Sequence, residues 1–266
     1  MLDWIKYIIL GIVQGITEIL PISSSGHLTL LTHVFNMDTA NLTIFLMLTN
    51  TGSFLAILYF FRADIISLIH GSYRFVFQKK DIYKDDWFDA LKVFVAVLPV
   101  GIVGLLFEDL LPDDLFTVGI ALVVTGSLLF FIYSNRHFEY NKPIGFKNAL
   151  IVGLFQMFAV VPGISRSGIT LTGGLIQKIS LKKALKFSFL SYVAISFPVS
   201  ILGFIRASAA TESIHLGGYL IASVLSFIFS YLAVKWLYEY VKIKNLIYFS
   251  VYCLVVGLLA VMIYFI

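Results

Sequence analysis

The stretches ILPISSSGHL (residues 19–28) and VVPGISRSGI (residues 160–169) decide how the rest of the chain is read. Each puts Pro, Ser and Gly in the middle of an apolar region, 4–34 in one case and 148–178 in the other. The apolar flanks run about 10–17 residues, short of the ~20 that an α-helix needs to cross hydrocarbon. Two short helices joined by a polar break and returning to the same face, a re-entrant hairpin, fit that length. Non-helical backbone at membrane depth is tolerated only where protein or a water-filled cavity covers it. Such breaks are therefore candidate binding sites.

The two breaks are copies. An offset of 142 carries Gly11 to Gly153, Gln14 to Gln156, Ser23 to Ser165, Ser25 to Ser167, Gly26 to Gly168 and Phe45 to Phe187. Outside them, segments of approximately 43–61, 89–107, 115–134, 184–206, 217–237 and 246–266 read as full spans. The expected fold is all-α: a polytopic membrane protein of six transmembrane helices and two re-entrant helix hairpins. It forms one integral domain over 1–266, with repeat 1 at about 1–134 and repeat 2 at about 143–266. One hairpin plus three spans is an odd number of crossings, which inverts the second copy, so the hairpins meet from opposite faces in an inverted-topology repeat.

Composition agrees. Hydrophobic residues make up 59% of the chain and charged ones 13%, and the mean hydropathy is +0.95. Soluble domains carry about 25% charged residues, so a water-soluble fold is excluded. A transmembrane β-barrel would show alternating segments of ~10 residues, and none is present. The single cysteine, Cys253, excludes an intrachain disulfide. Residues 1–20 hold Asp3, Gln14 and Glu18 with no small-residue cleavage site, unlike a signal peptide.

The net charge of +4 does not indicate nucleic-acid binding, because the basic residues sit in short loops beside the spans. Sixteen Lys and Arg, among them Arg62, Lys79, Arg136, Lys182 and Lys244, fall on one face. Only Lys6 and Arg206 fall on the other, together with the acidic run Glu108, Asp109, Asp113 and Asp114. The positive-inside rule makes the basic face cytoplasmic and puts both termini outside. Trp4, Trp87 and Trp236 lie near span ends, where interfacial aromatics belong.

One residue, Arg166, is left inside the membrane. Its permanently charged guanidinium needs an anionic partner, and its fork suits phosphate oxygens; a structural ion pair with Glu18 is the alternative. Gly11, Gln14, Gly15 and Glu18 share one helical face by their i, i+3, i+4, i+7 spacing. That stripe is either a small-residue packing seam or a functional one, since an intramembrane carboxylate is a site candidate by default. Ser23, Ser24, Ser25 and Gly26, then His27, lead into a second helix, as do Ser165, Ser167 and Gly168. Such loops offer hydroxyls and backbone N–H groups to an anion, or simply cap the helix. The repeat is chemically unequal: Arg166 matches Ser24, while Glu18 and His27 match Val160 and Ile169. One half supplies acid–base and nucleophilic groups and the other the cation, a division suited to phosphoryl transfer.

QGITEILPISSSGHL (14–28) and VPGISRSGITLTGG (161–174) resemble the two signatures of the undecaprenyl-diphosphatase, or bacitracin-resistance, family. The likeness extends through the span pattern and the polar break Asn50-Thr51-Gly52, covering nearly the whole chain. It implies hydrolysis of undecaprenyl diphosphate to the monophosphate carrier lipid and inorganic phosphate, serving cell-wall synthesis and bacitracin resistance. It also implies a bacterial plasma-membrane location with an active site opening outward. The family's acidic positions fall on Gln14 and Glu18, its serines on Ser23 and Ser24, and its histidine on His27. Its second signature falls on Ser165, Arg166 and Ser167. Some members have Glu where this chain has Gln14, which leaves Glu18 the only strong acid of the motif and weakens any scheme with two carboxylates on one metal.

The expected site therefore has Ser24, His27, Glu18 and Arg166 as catalytic groups and Gln14, Ser23, Ser25, Gly26, Ser165, Ser167 and Gly168 around the substrate. Ser24 is the expected nucleophile with His27 or Glu18 as base; water, or His27 itself, is the variant. Glu18 would help to hold Mg²⁺ or Ca²⁺, since Mg²⁺ often binds through one carboxylate plus substrate phosphates. The expected partners are a prenyl diphosphate and the bilayer, with a homo-oligomer left open. The rival is a transporter or lipid flippase, because inverted repeats with broken helices are the architecture of secondary transporters.

Overall fold

The computed structural model describes residues 2–35, 37, 42–107, 110–209 and 215–265. Glu108 and Asp109 of the expected acidic face, and Ile266 at the end of the last expected span, lie outside them. Among the described residues the chain is helical and has no β-strand, only an isolated bridge between Lys142 and Ile179. In order the helices are α1 (Leu2–Ile19), α2 (Ser24–Val34), α3 (Leu42–Phe60), α4 (Arg62–Gln78), α5 (Lys84–Phe107) and α6 (Leu115–Ser134). They continue as α7 (Phe146–Gln156), α8 (Arg166–Ile176), α9 (Leu181–Ala209), α10 (Leu216–Tyr240) and α11 (Leu246–Tyr264). A 3₁₀ turn over Met157–Val160 extends α7. Among the described residues five helices are long and apolar enough to cross a membrane, or six if α3 and α4 count as one bent span.

Two expectations need correction. The basic stretch between the expected spans 43–61 and 89–107 is not a short loop: α4 occupies most of it, bent 73° from the helix before it. Ile66, Ile69, Tyr73 and Phe77 line its exposed face at helical spacing, an amphipathic pattern that a search for long apolar spans passes over. Its inner face packs on α5 at Gly71 against Asp86, and an ion pair between Asp64 and Lys186 ties it to α9. Helix α1, at 18 residues, is also longer than the expected flank and spans about 27 Å.

The bundle is held by small residues inside and large apolar ones outside, as expected where lipid tails are as apolar as leucine. On α11 the buried positions are Leu246, Ser250, Cys253, Gly257 and Ala260, while Val251, Val255, Leu258 and Met262 point outward. The seam lets α11 close on α6. A Cβ on Gly257 would lie 2.7 Å from Gly119 O, and the Ser250 hydroxyl donates to Gly126 O at 2.7 Å. Helix α10 receives α1 and α3 in the same way. A Cβ on Gly11 or Gly15 would lie 2.5–2.6 Å from the carbonyl oxygens of Ala222 and Ser226. Beside this seam the hydroxyls of Ser226 and Ser230 stand 2.8 and 2.9 Å from Ser53 Oγ. Helix α7 meets α5 likewise, with Gly153 against Ala96.

Candidate active site

The two polar breaks face each other across a few hydrogen bonds. Pro21, which has no N–H to donate, follows the end of α1, and Ile22 N–H closes a tight turn on Leu20 O at 2.7 Å. Ser23 then caps α2, its hydroxyl accepting from Gly26 N–H at 3.3 Å. In the second break Ser165 caps α8 in the same manner, accepting from Gly168 N–H at 3.1 Å. Ser25 Oγ accepts from Gly163 N–H at 3.2 Å, and the Ser167 hydroxyl donates to Leu20 O at 3.1 Å. Each break is thus pinned by a serine of the other. Gly163 holds φ +94°, and a Cβ there would press 2.6 Å from Val118 O, so only glycine fits this crossing. Ser23 takes φ 71° without being glycine, a strain of about 1–3 kcal/mol that its surroundings must hold.

The sequence-expected residues divide into two groups. Gln14, Glu18, Ser23, Ser24, Ser25, Ser165 and Arg166 line one cavity of about 730 Å³. The stripe on α1 splits accordingly: Gly11 and Gly15 form a packing seam, while Gln14 and Glu18 turn to the cavity. The Ser24 hydroxyl donates to Glu18 Oε2, and Gln14 Nε2 donates to the same oxygen at 3.1 Å. Gly26, Ser167 and Gly168 stand behind the cavity wall as capping and bridging groups.

His27 stands there too, and it is not brought to Ser24. Its Nδ1 lies 2.7 Å from Ser23 O. A carbonyl only accepts, so Nδ1 carries the proton and Nε2 accepts from the Tyr252 hydroxyl, also at 2.7 Å. The ring stacks on Tyr252 with centroids 5.4 Å apart. Both nitrogens are therefore committed to holding the strained Ser23 and the start of α2.

Arg166 opens α8 from the opposite side. It makes no ion pair among the described residues, so the structural pairing with Glu18 is not formed. Its guanidinium lies over the Tyr192 ring at 5.2 Å and donates weakly to Ser196 Oγ at 3.4 Å. Tyr192 in turn donates to Asn50 Oδ1 at 2.8 Å, and Asn50 also lines the cavity. Sequence reasoning noted Asn50 only as part of a polar break and missed Tyr192. The signal was present: Ser188, Tyr192, Ser196 and Ser200 recur every fourth residue along α9, a polar stripe in an apolar helix. Beyond this polar end the cavity continues between α5 and α9, past Val97, Leu98, Gly101 and Leu105 on one side and Pro198 and Leu202 on the other. One end thus suits a charged headgroup and the rest an apolar chain.

The donors for a cation are few. No group of three or more His, Cys, Asp or Glu stands together among the described residues. Glu18 offers one carboxylate, of which Oε2 is already shared by Gln14 and Ser24. That suits Mg²⁺ held by one carboxylate and substrate phosphates, rather than an all-protein cage.

Comparison with known proteins gives the lineage. A family described as bacitracin resistance protein BacA matches residues 7–259. The chain is 49% identical to an undecaprenyl-diphosphatase of Acholeplasma laidlawii, covering 100% of this chain and 99% of the relative. It is 38% identical to an undecaprenyl-diphosphatase of Oceanobacillus iheyensis, over 96% and 94% of the two chains. An undecaprenyl-diphosphatase 2 of Bacillus thuringiensis is 36% identical over 96% of each. With its apolar helices and this match over nearly its full length, the chain is a multi-pass membrane protein and belongs to the bacitracin resistance protein BacA family.

Proposed function

We infer that the chain is an undecaprenyl-diphosphatase, releasing inorganic phosphate from undecaprenyl diphosphate and leaving the monophosphate carrier for cell-wall synthesis. Bacitracin resistance is the corresponding phenotype. One observation carries the reading: a guanidinium with no ion pair among the described residues shares a cavity with a carboxylate–serine couple, at the polar end of an apolar passage. The diphosphate neutralises Arg166, and the prenyl tail follows the α5–α9 wall toward lipid.

The Glu18–Ser24 hydrogen bond supports Ser24 as nucleophile with Glu18 as its base. Ser24 Oγ attacks the terminal phosphorus, its proton passes to Glu18, and the bond to the bridging oxygen breaks to release prenyl monophosphate. Glu18 passes that proton to the departing monophosphate, then takes one from the water that attacks phosphorylated Ser24, and returns it to Ser24 Oγ as inorganic phosphate leaves. Arg166 and the N–H groups of Ser24 and Ser25, which have no acceptor within their helix, hold the phosphoryl oxygens as charge builds. Gln14 orients Glu18, and His27 acts as a positioning residue for the loop. Glu18 would help to hold a Mg²⁺ or Ca²⁺ ion, which would supply neutralisation of the diphosphate charge.

The inverted-repeat, re-entrant reading is supported by paired contacts. Gly11 meets Ala222 as Gly153 meets Ala96, and Ser23 and Ser25 make the same cap and hydroxyl pair as Ser165 and Ser167. The charge distribution supports termini outside and a cavity opening outward. The test is phosphate release from a prenyl diphosphate by purified protein in detergent, where no gradient exists. The phosphatase reading predicts release, whereas a transporter or flippase would give none.

A further inference from the structure

Asn50 lies midway along α3 and partly lines the cavity of Glu18, Ser24 and Arg166. Its Oδ1 accepts from the Tyr192 hydroxyl at 2.8 Å, and its Nδ2 donates to no described residue. A side-chain amide whose oxygen is committed on one side turns two N–H donors to the other. Tyr192 is 5% exposed, and its hydroxyl also stands 3.4 Å from Asn50 O, so it meets Asn50 through acceptor oxygens. The Arg166 guanidinium lies over the same ring, and Ser196, one turn farther along α9, receives its weak hydrogen bond. One buried aromatic residue thus holds both a charged fork and a neutral amide at the same end of the cavity.

We propose that Asn50 is a second phosphate-binding group of this site, directing its amide N–H at an oxygen of the lipid diphosphate, and that Tyr192 is the positioning residue that aims it. The proposal rests on the phosphatase reading and deepens it. Charge spreads over several oxygens in phosphoryl transfer. A fixed neutral donor adds stabilisation there without a second buried cation to desolvate. The competing role is a staple joining α3 to α9. A staple needs only an acceptor for the Tyr192 hydroxyl, which aspartate supplies as well as asparagine, whereas phosphate binding needs a donor, which an aspartate carboxylate is not. The two roles therefore order the variants oppositely.

The experiment measures kcat and KM for farnesyl diphosphate, and inhibition by inorganic pyrophosphate, on the full-length protein in detergent. The proposal expects Asn50→Ala to lower kcat/KM about 10²-fold, in the range of a lost oxyanion donor. Asn50→Asp should fall lower still, with pyrophosphate inhibition weakened most. Tyr192→Phe, which keeps the ring under Arg166, should lose about 10-fold, and adding it to Asn50→Ala should cost nothing further, since the hydroxyl acts through the amide. Asn50→Asp equal to or better than Asn50→Ala, or wild-type constants in both, overturns the proposal. Should Asn50→Ala not fold, Asn50→Asp and Tyr192→Phe still decide, because a staple predicts near-normal activity for the former. A wild type that releases no phosphate would instead overturn the phosphatase reading, and the order of pyrophosphate-induced rises in melting temperature then decides the role of Asn50.

Discussion

Replacing Arg166 separates the phosphate-binding reading from a structural one, because the two place the cost in different measurements. If Arg166 were half of a buried ion pair, removing it would strand a carboxylate and destabilise the fold by about 3–5 kcal/mol. No such pair is formed among the described residues. What Arg166→Ala removes is a cation over Tyr192, worth roughly 0.5–2 kcal/mol, and one 3.4 Å hydrogen bond to Ser196. The relief of an unpaired, half-buried charge offsets that loss, so the melting temperature should move by only a few degrees. Activity should collapse. An arginine neutralising a transferring phosphoryl group is worth about 10³–10⁵ in rate, or roughly 4–7 kcal/mol of barrier. Arg166→Lys keeps the charge but not the fork and loses at least one charge-assisted hydrogen bond of about 1.5–3 kcal/mol, which places it ~10–100-fold below wild type. The assay pairs phosphate release from farnesyl diphosphate with thermal unfolding in the same detergent. An alanine variant that keeps more than about a tenth of wild-type turnover, or that melts far below wild type, would refute the reasoning.

Three other predictions follow from single contacts. His27→Ala should lower turnover by about 10²-fold at most, the scale of a misplaced reacting group, and Tyr252→Phe should lower it less; a loss as large as that of Arg166→Ala would return His27 to the chemistry. Gln156, fully buried with no partner for either amide atom among the described residues, should be replaceable by Met with a gain of about 1–3 kcal/mol and unchanged kcat, read by thermal unfolding and the release assay. Asp114 caps α6 by accepting from Thr117 and Phe116, and the Thr117 N–H above all holds its carboxyl below the usual carboxylate range. A depressed folded pKa stabilises above the unfolded value, and the gain is lost as pH falls through the folded one. Asp114→Ala should therefore cost about 1 kcal/mol at pH 7, and melting curves of variant and wild type should converge as the pH falls below the usual carboxylate range.

The sequence displayed the long apolar helices, the two polar breaks and their inequality because membrane burial leaves few polar residues, and each one stands out. It could separate neither the faces of α1 nor the fate of His27. Gly11, Gly15, Gln14 and Glu18 share one stripe, and only the position of α10 shows that the glycines are packing and the other two are not. His27 sits beside Ser24 in the chain, yet one helical turn carries its ring to Tyr252, more than two hundred residues away in sequence. Helix α4 escaped notice because its apolar residues are spread along one face rather than run together. Tyr192 escaped because its partners, Arg166 and Asn50, lie on two other helices.

The account's central claim is that this cavity cleaves a diphosphate at Ser24 with Glu18 beside it. The most direct measurement is acid-quenched turnover of a prenyl diphosphate radiolabelled in its terminal phosphate, followed by mapping of labelled peptides. The account predicts label on Ser24 in the wild type and neither label nor phosphate release in Ser24→Ala. No label in the wild type, together with full turnover in Ser24→Ala, would contradict it.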